Sequence, residues 1–265
     1  MSEANVDRPA GPPSQHVNIF LTGVGGQGIG TLAEVLVRSC LDAGHNVKAV
    51  DTHGLAQRGG IVTSHLKIGP RLFTPRIDPG EADMVIGLEL LEAYRGTVNY
   101  LKPGGTVVYY DTEYQPIHVR MGRADYPTLA QFEELVASKG GRLIRVFIDD
   151  LPDPRMQNIA LLGRVSRLSL IPGVTPDIVE ANVRAVVPKA KLEENLGVFH
   201  RAAEEETGGA GSETTEQPDS LRKVEGPSDE VTAREVAPSA PANGENVRPD
   251  TSHDAVERPH GKAVT

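Results

Sequence analysis

The sequence has only one cysteine, Cys40, in 265 residues. A single cysteine cannot form an intramolecular disulfide, and no group of cysteines is present to bind zinc or an iron–sulfur cluster. We expect Cys40 to be a small buried hydrophobic residue in a helix. The chain also lacks a run of about 20 apolar residues, the length that a membrane-spanning helix needs. Its first residues, MSEANVDRPAGPPSQH, lack the basic and then apolar order of a signal peptide. These absences predict a cytoplasmic protein without a membrane segment.

The main part of the chain lacks an excess of positive charge. Residues 204–265 contain 14 Asp and Glu against 6 Lys and Arg, whereas the preceding residues contain 22 and 21. A nucleic-acid binder needs a basic face to neutralise phosphates, so the near-neutral main part argues against that class. Residues 204–265 contain no Phe or Tyr and are rich in Glu, Pro, Gly, Ser and Thr. We expect a disordered acidic tail there and a flexible leader at residues 1–16.

Residues 17–203 show short apolar runs that alternate with segments of helical periodicity. Strands are predicted at residues 17–23, 46–51, 61–68, 82–87, 106–111 and 142–148. Helices are predicted at residues 29–43, 88–101, 129–138, 156–168, 176–187 and 191–202. The alternation predicts an α/β domain with three layers, a Rossmann-like arrangement with a mainly parallel sheet and a helical C-terminal third. Residues 61–68 follow the second strand without a helix, and we expect them to be a hairpin partner or an excursion.

A glycine-rich turn joins the first predicted strand to the first predicted helix. Its sequence, GVGGQG, fits the pattern G-x-G-x-x-G. The candidate cofactor-binding residues of this turn are Gly23, Gly25, Gly26, Gln27 and Gly28. Glycine lets the backbone approach an anion closely, and the N–H groups of a helix N-terminus favour negative charge. The second strand ends in Asp51, where a dinucleotide-binding domain would have its ribose-binding acid. The motif alone leaves open either a bound nucleotide or a tight turn without a ligand.

A second glycine-rich loop, residues 52–60, follows the second strand. Its candidate binding residues are Gln57, Arg58, Gly59 and Gly60. Arg58 offers a planar, permanently charged group to a phosphate or a carboxylate. Both loops leave the carboxyl ends of strands that we expect to be neighbours, so they should share the edge where α/β sheets bind ligands. A second loop here fits an anion pocket or a docked partner better than an ordinary NAD site.

Other polar residues are weaker candidates. Glu89 and Asp111 follow predicted strands and could serve a site or an interface. Glu92 and Arg95 have the spacing of an ion pair on a helix surface. His53 and His65 flank the second loop but match no known metal-ligand spacing, so no metal site is predicted.

Several stretches together carry a family resemblance. They are GVGGQG at residues 23–28, HGLAQRGG at 53–60, SHLKIG at 64–69, the stretch from Ile77 to Arg95, Asn158 with Gly163, and the ending from Glu194 to Phe199. With these features the chain resembles the gamma-type domain of 2-oxoacid:ferredoxin oxidoreductases. The resemblance spans about residues 17–202, and the leader and the acidic tail lie outside it.

The resemblance implies a smaller subunit of a thiamine-diphosphate-dependent complex. Such a complex decarboxylates a 2-oxoacid, here of the indolepyruvate or arylpyruvate type, passes electrons through iron–sulfur clusters to ferredoxin, and releases acyl-CoA. The sequence has no GDG triplet to open a thiamine diphosphate and Mg²⁺ motif, and one cysteine cannot bind a four-cysteine cluster. We therefore expect these cofactors on a large partner subunit, none held by this chain alone, and CoA as a ligand that both could share. No catalytic residue is assigned to this chain.

Two other interpretations stay open on the sequence. The first is an independent Rossmann dehydrogenase that binds NAD(P) or FAD through the glycine-rich turn. The second is a purely structural subunit that supports assembly and contacts no ligand.

Overall fold

A six-stranded sheet organises the computed structural model, which describes residues 16–53, 60–113 and 126–204. The predicted leader and acidic tail lie outside these residues, apart from His16 and Glu204. The strands are β1 Val17–Val24, β2 Val47–His53, β3 Ile61–Ile68, β4 Ala82–Gly87, β5 Leu101–Tyr110 and β6 Arg142–Val146. The helices are α1 Ile29–Asp42, α2 Leu90–Tyr100, α3 Leu129–Ser138, α4 Gln157–Arg167, α5 Pro176–Val186 and α6 Leu192–Glu204. None of these helices is long and apolar enough to cross a membrane.

The strand order across the sheet is β2-β3-β1-β4-β5-β6. Strand β3 runs antiparallel to β2 and to β1, whereas β1, β4, β5 and β6 pair in parallel. The mainly parallel sheet and the hairpin role of residues 61–68 are therefore confirmed. The expectation that the first two strands are neighbours is wrong, because β3 lies between them. The connection from β2 to β3 is too short for a helical crossover, so the chain returns antiparallel and occupies the place beside β1.

Helices cover the two faces of the sheet unequally. One face packs against α1 and the three late helices, which form the larger apolar core with Ile19, Leu21 and Ile86. The other face packs against α2 and α3 around Phe20, Tyr109 and Phe132. The three layers and the helical C-terminal third are thus confirmed. Helix α4 is the most deeply set of the late helices, since all its residues from Gln157 to Ser166 are buried.

Several predicted boundaries differ from the structure by two residues or more, and three of them have a clear local reason. Strand β2 continues to His53 because it pairs with β3 as far as Val62, so Asp51 lies inside the strand and not at its end. Helix α2 begins at Leu90 because Glu89 is extended and caps the helix with its side chain. Strand β5 begins at Leu101, because the irregularity around Gly104, which has a φ of 74°, lies within the strand and does not end it.

Candidate functional site

The glycine-rich turn lies at the carboxyl edge of the sheet, between β1 and α1. Gly26 and Gly28 have φ values of 104° and 83°, in the left-handed region that favours glycine. Gly28 is also the N-cap of α1, and no side chain caps the first N–H groups of this helix. A Cβ atom on Gly23 would lie 3.0 Å from Cβ of Leu88, so the turn packs tightly on the end of β4. The glycines therefore give the turn its shape and leave the start of α1 open.

The side chain of Gln27 stabilises this turn through two hydrogen bonds. Its side chain is buried, and its Oε1 accepts a hydrogen bond from the backbone N–H of Val24 at 2.7 Å. Its Nε2 donates to the carbonyl oxygen of Leu88 at 3.4 Å. Because both ends of the amide bond the protein, Gln27 ties the turn to β4. Contact between Gln27 and a ligand stays a prediction.

The second glycine-rich loop meets the first through a backbone hydrogen bond. The N–H of Gly25 donates to the carbonyl oxygen of Gly60 at 2.8 Å. Gln57, Arg58 and Gly59 lie outside the described residues. Gly60, the last residue of the second loop, therefore lies beside the first loop at the carboxyl edge, although the strands that the two loops follow are separated by β3.

Asp51 does not lie where a dinucleotide-binding domain would have its ribose-binding acid. Its strand is separated from β1 by β3, and its carboxylate accepts a hydrogen bond from the hydroxyl of Ser64 at 2.5 Å. In a dinucleotide-binding domain the acid follows the strand next to the glycine-rich turn. The geometry therefore counts against the NAD alternative.

Asn158, on α4, contacts the glycine-rich turn from the side of the late helices. Its Nδ2 donates to the carbonyl oxygen of Gly28 at 3.1 Å, and the same oxygen accepts the first helical hydrogen bond from Leu32. A Cβ atom on Gly28 would lie 2.5 Å from this Nδ2. Sequence reasoning predicted that Asn158 caps or bridges near the late helices but could not name its partner, which is 130 residues away. The resemblance that included Asn158 was the one signal that pointed to it.

Glu89 is a buried carboxyl group at the end of β4, beside the glycine-rich turn. Its side chain accepts hydrogen bonds from the N–H groups of Leu91 and Glu92 and from the hydroxyl of Tyr126, the last at 2.7 Å. Burial raises the pKa of Glu89 to about 7, although these hydrogen bonds act in the opposite direction. Tyr126 was missed by sequence reasoning, since no motif connects it to Glu89. Glu89 thus joins α2 to the segment that precedes α3.

Glu92 is a second buried acid on the first turn of α2. Its carboxylate bonds Arg95 at 2.6 Å, with the Glu92 side chain 2% exposed and the Arg95 side chain 34% exposed. Burial also raises the pKa of Glu92, and Arg95 opposes that rise. The expected ion pair forms, but its place at the surface is wrong for Glu92, whose carboxylate is buried.

The other sequence candidates have structural partners. Asp111, at the end of β5, accepts a hydrogen bond from Arg145 of β6 at 2.6 Å. His65 is buried against Phe20 and Tyr100, and its Nδ1 accepts from the N–H of Ile77 at 3.2 Å. The side chain of His53 is not among those described. Within residues 16–53, 60–113 and 126–204, no three His, Cys, Asp or Glu side chains group as metal ligands.

The unaltered chain is expected to lose stability between about pH 5 and about pH 8. A Glu89→Gln variant is expected to show much less of this loss. The folded chain retains the proton of Glu89 up to a pKa of about 7, against an ordinary value of 4.5. Its contribution to stability is therefore present below about pH 4.5 and is lost as the pH rises through 7, a change of about 3 kcal/mol. Urea unfolding at both pH values measures this change. Glu134→Gln, an exposed change on α3, is the control. An equal pH dependence in Glu89→Gln and in the unaltered chain would contradict the assignment.

Similarity to known proteins extends over most of the described residues. A family model described as pyruvate ferredoxin/flavodoxin oxidoreductase matches residues 18–205. Indolepyruvate oxidoreductase subunit IorB of Thermococcus kodakarensis is 33% identical over 201 residues, which cover 72% of this chain and 98% of the relative. The IorB subunit of Pyrococcus horikoshii is 32% identical over 187 residues, which cover 69% of this chain and 92% of the relative.

Two solved structures share the fold at lower sequence identity. Pyruvate oxidoreductase subunit PORC of Thermotoga maritima has a TM-score of 0.50 at 19% identity, covering 72% of this chain and 97% of that one. The 2-oxoglutarate:ferredoxin oxidoreductase of Magnetococcus marinus has a TM-score of 0.52 at 18% identity. That structure was solved with 2-oxoglutarate, coenzyme A and succinyl-CoA bound, and the match covers 72% of this chain and 31% of that one.

Proposed function

The chain belongs to the pyruvate ferredoxin/flavodoxin oxidoreductase family, and from this premise we propose that it is the smaller subunit of an indolepyruvate-type oxidoreductase. The proposed complex decarboxylates an arylpyruvate oxidatively, yields acyl-CoA and CO₂, and reduces ferredoxin. The identity to two IorB subunits over nearly their whole length supports this assignment. We also propose residues 17–203 as the functional domain, between a leader and an acidic tail.

The observation that carries the proposal is the hydrogen bond between Gly25 and Gly60 at the carboxyl edge. It couples the open N-terminus of α1 to the loop that contains Arg58, so one anion could meet backbone N–H groups and a guanidinium together. The proposed binding residues are Gly23, Gly25, Gly26, Gln27, Gly28, Gln57, Arg58, Gly59 and Gly60. Their ligand would be a phosphate of CoA or the carboxylate of the 2-oxoacid, held at a boundary with the partner.

The residues of this chain do not fit the redox cofactors of such a complex. Its one cysteine, Cys40, is buried in α1, and burial raises the pKa of its thiol to about 12. An iron–sulfur cluster needs several cysteine thiolates, which one buried thiol cannot supply. We therefore propose that thiamine diphosphate, Mg²⁺ and the iron–sulfur clusters are held by a larger partner subunit. This chain would bind and orient an anionic group and exclude water where the two subunits meet.

The experiment combines this chain with the large chain of the same organism that carries a thiamine diphosphate motif and cysteine clusters. We expect arylpyruvate-dependent and CoA-dependent reduction of ferredoxin by the complex and by neither chain alone. Reduction by the isolated smaller chain would overturn the proposal, as would a stoichiometric complex without activity. Tight binding of NADH by the isolated chain, followed by nicotinamide fluorescence, would favour the dehydrogenase instead.

Arg58→Ala in the assembled complex tests the anion site. We expect the KM for CoA or for the 2-oxoacid to rise by about tenfold or more, since a charge-assisted contact to an anion is lost. Arg142→Ala on β6 is the control, because its exposed side chain lies on the far edge strand of the sheet. Unchanged Michaelis constants in an intact Arg58→Ala complex would favour a purely structural role.

A further inference from the structure

One face of the β2–β3 hairpin is only partly covered, and it exposes apolar and basic side chains. The described residues include five large exposed hydrophobic side chains, of which Val50, Ile61 and Phe73 are 38%, 48% and 84% exposed. Successive residues of a strand alternate between faces, so Val50 of β2 shares a face with its partner His65 of β3 and with Ile61. That is the face on which His65 contacts Tyr100 of α2. Antiparallel strands commonly expose one face, but with polar side chains. We name this surface, with Lys48, Lys67 and residues 70–76, the hairpin face.

Phe73 is presented on a loop that side chains hold against the hairpin. Nζ of Lys48 donates to the carbonyl oxygen of Phe73 at 3.2 Å, and Nζ of Lys67 donates to that of Arg76 at 3.2 Å. Asn46 holds the beginning of the loop through the carbonyl oxygen of Pro70, also at 3.2 Å. An exposed aromatic side chain on a fixed backbone loses little conformational freedom when a partner binds it. Such residues are typical anchors of protein interfaces.

Four cations lie on the loop that carries Phe73 or hold it against the hairpin. They are Lys48, Lys67, Arg71 and Arg76, and none of them forms an ion pair with an acidic side chain of the described residues. Lys67, Arg71 and Phe73 also line a cavity of about 290 Å³ with His16. A positive patch around an apolar anchor is complementary to an acidic protein surface that has an apolar socket.

The hairpin face is continuous with the proposed anion site. Ile61, the first residue of β3, pairs with Val24 at the end of β1. It follows Gly60, whose carbonyl oxygen accepts a hydrogen bond from the N–H of Gly25. Strand β3 has eight residues, so it extends for about 26 Å from that edge toward the loop of residues 70–76. A partner that covers the glycine-rich edge can therefore continue along the hairpin.

We propose that the hairpin face is the surface on which the larger catalytic subunit docks, through an acidic region with a socket for Phe73. This inference rests on the proposed function, because it assigns that partner to one surface of this chain. The charge of the face, its exposed apolar side chains and its continuity with the glycine-rich edge all favour one extended contact.

The test measures the Kd between this chain and the large chain that carries the thiamine diphosphate motif. Phe73→Ala, and separately Arg71→Glu with Arg76→Glu, are each expected to raise the Kd by about tenfold or more. The controls are Leu41→Ala and Arg142→Glu, an exposed apolar residue of α1 and an exposed cation of β6. Their Kd should stay within about twofold of the unaltered chain. Raising NaCl from about 50 mM to about 500 mM should weaken the unaltered complex more than the double charge variant.

The outcomes separate the two proposals. If the unaltered chain forms no complex with the large chain, the proposed function fails and the docking assignment fails with it. If the complex forms and the hairpin variants bind as well as the controls, the docking assignment alone is overturned. Self-association of the isolated chain that Phe73→Ala abolishes would also overturn it, since the occupant would then be a second copy.

Discussion

Gly163→Val is expected to destabilise the domain by about 3–5 kcal/mol, the largest stability loss that we predict for one substitution. A Cβ atom on Gly163 would lie 2.4 Å from the carbonyl oxygen of Phe199 and 3.3 Å from Cβ of Ala202. The nearest atom belongs to the backbone of α6, so no side-chain rotation relieves the contact. Helices α4 and α6 would have to separate, and α4 is the buried helix that also carries Asn158.

Thermal and urea unfolding of the isolated chain measure this loss. For a domain of this size the expected fall in Tm is about 10 °C or more. Gly197→Ala on α6 is the matched control, since a Cβ atom there has no neighbour within 4 Å. It should be neutral or stabilising by up to about 1 kcal/mol, because alanine is the better helix former. A Gly163→Val chain as stable as Gly197→Ala would show that the two helices can move apart freely.

Gly28→Ala is expected to reduce the activity of the assembled complex by about a hundredfold while the domain stays folded. Gly28 has a φ of 83°, which costs about 1–2 kcal/mol for a residue with a Cβ atom. The new methyl group would also press on Nδ2 of Asn158, which holds the Gly28 carbonyl oxygen. The turn and the start of α1 must therefore shift, and a displacement of about 1 Å at a site can cost about a hundredfold in rate.

Gly30→Ala is the matched control, made two residues later on the first turn of α1. A Cβ atom on Gly30 has no neighbour within 4 Å, so the same methyl group should leave the turn and the activity unchanged. Steady-state rates with arylpyruvate and CoA, together with the unfolding curve of each variant, separate loss of function from loss of fold. Equal activity in the two variants would contradict a role for the turn geometry in the complex.

Much of the fold could be predicted because its signals are local. Apolar patterning located every strand and α-helix of the described residues, and glycine or proline marked most of their ends. The place of β3 between β2 and β1 could not be predicted so directly, because it depends on which strand edges meet after the chain folds. The early start of β5 was missed because the sequence Pro103-Gly104-Gly105 is typical of a turn, whereas the positive φ of Gly104 also fits an irregular strand.

The candidate site was also predicted only where its signals are local in the sequence. The glycine-rich turn is one contiguous motif, so its residues and its place at the carboxyl edge were predicted. The contacts of Asn158 with Gly28 and of Tyr126 with Glu89 join residues 130 and 37 positions apart. Their partners are chosen by helix packing, which no short pattern encodes. The burial of Glu92 was missed for a related reason. A pair of opposite charges at helical spacing indicates a solvent-exposed helix face, unless the layers that pack against the helix are known.

The central place of β3 has a consequence for how the sheet assembles. Strand β2 reaches the rest of the sheet only through β3, while β2 and β3 are close along the chain and can pair as a local hairpin. Local contacts form fast, whereas joining β1 to β3 closes a loop that includes α1 and β2. We therefore expect the hairpin to add to the sheet as one cooperative unit. Amide protons of β2 and β3 should exchange with solvent together when that unit opens, while the parallel strands on the other side of β1 stay protected.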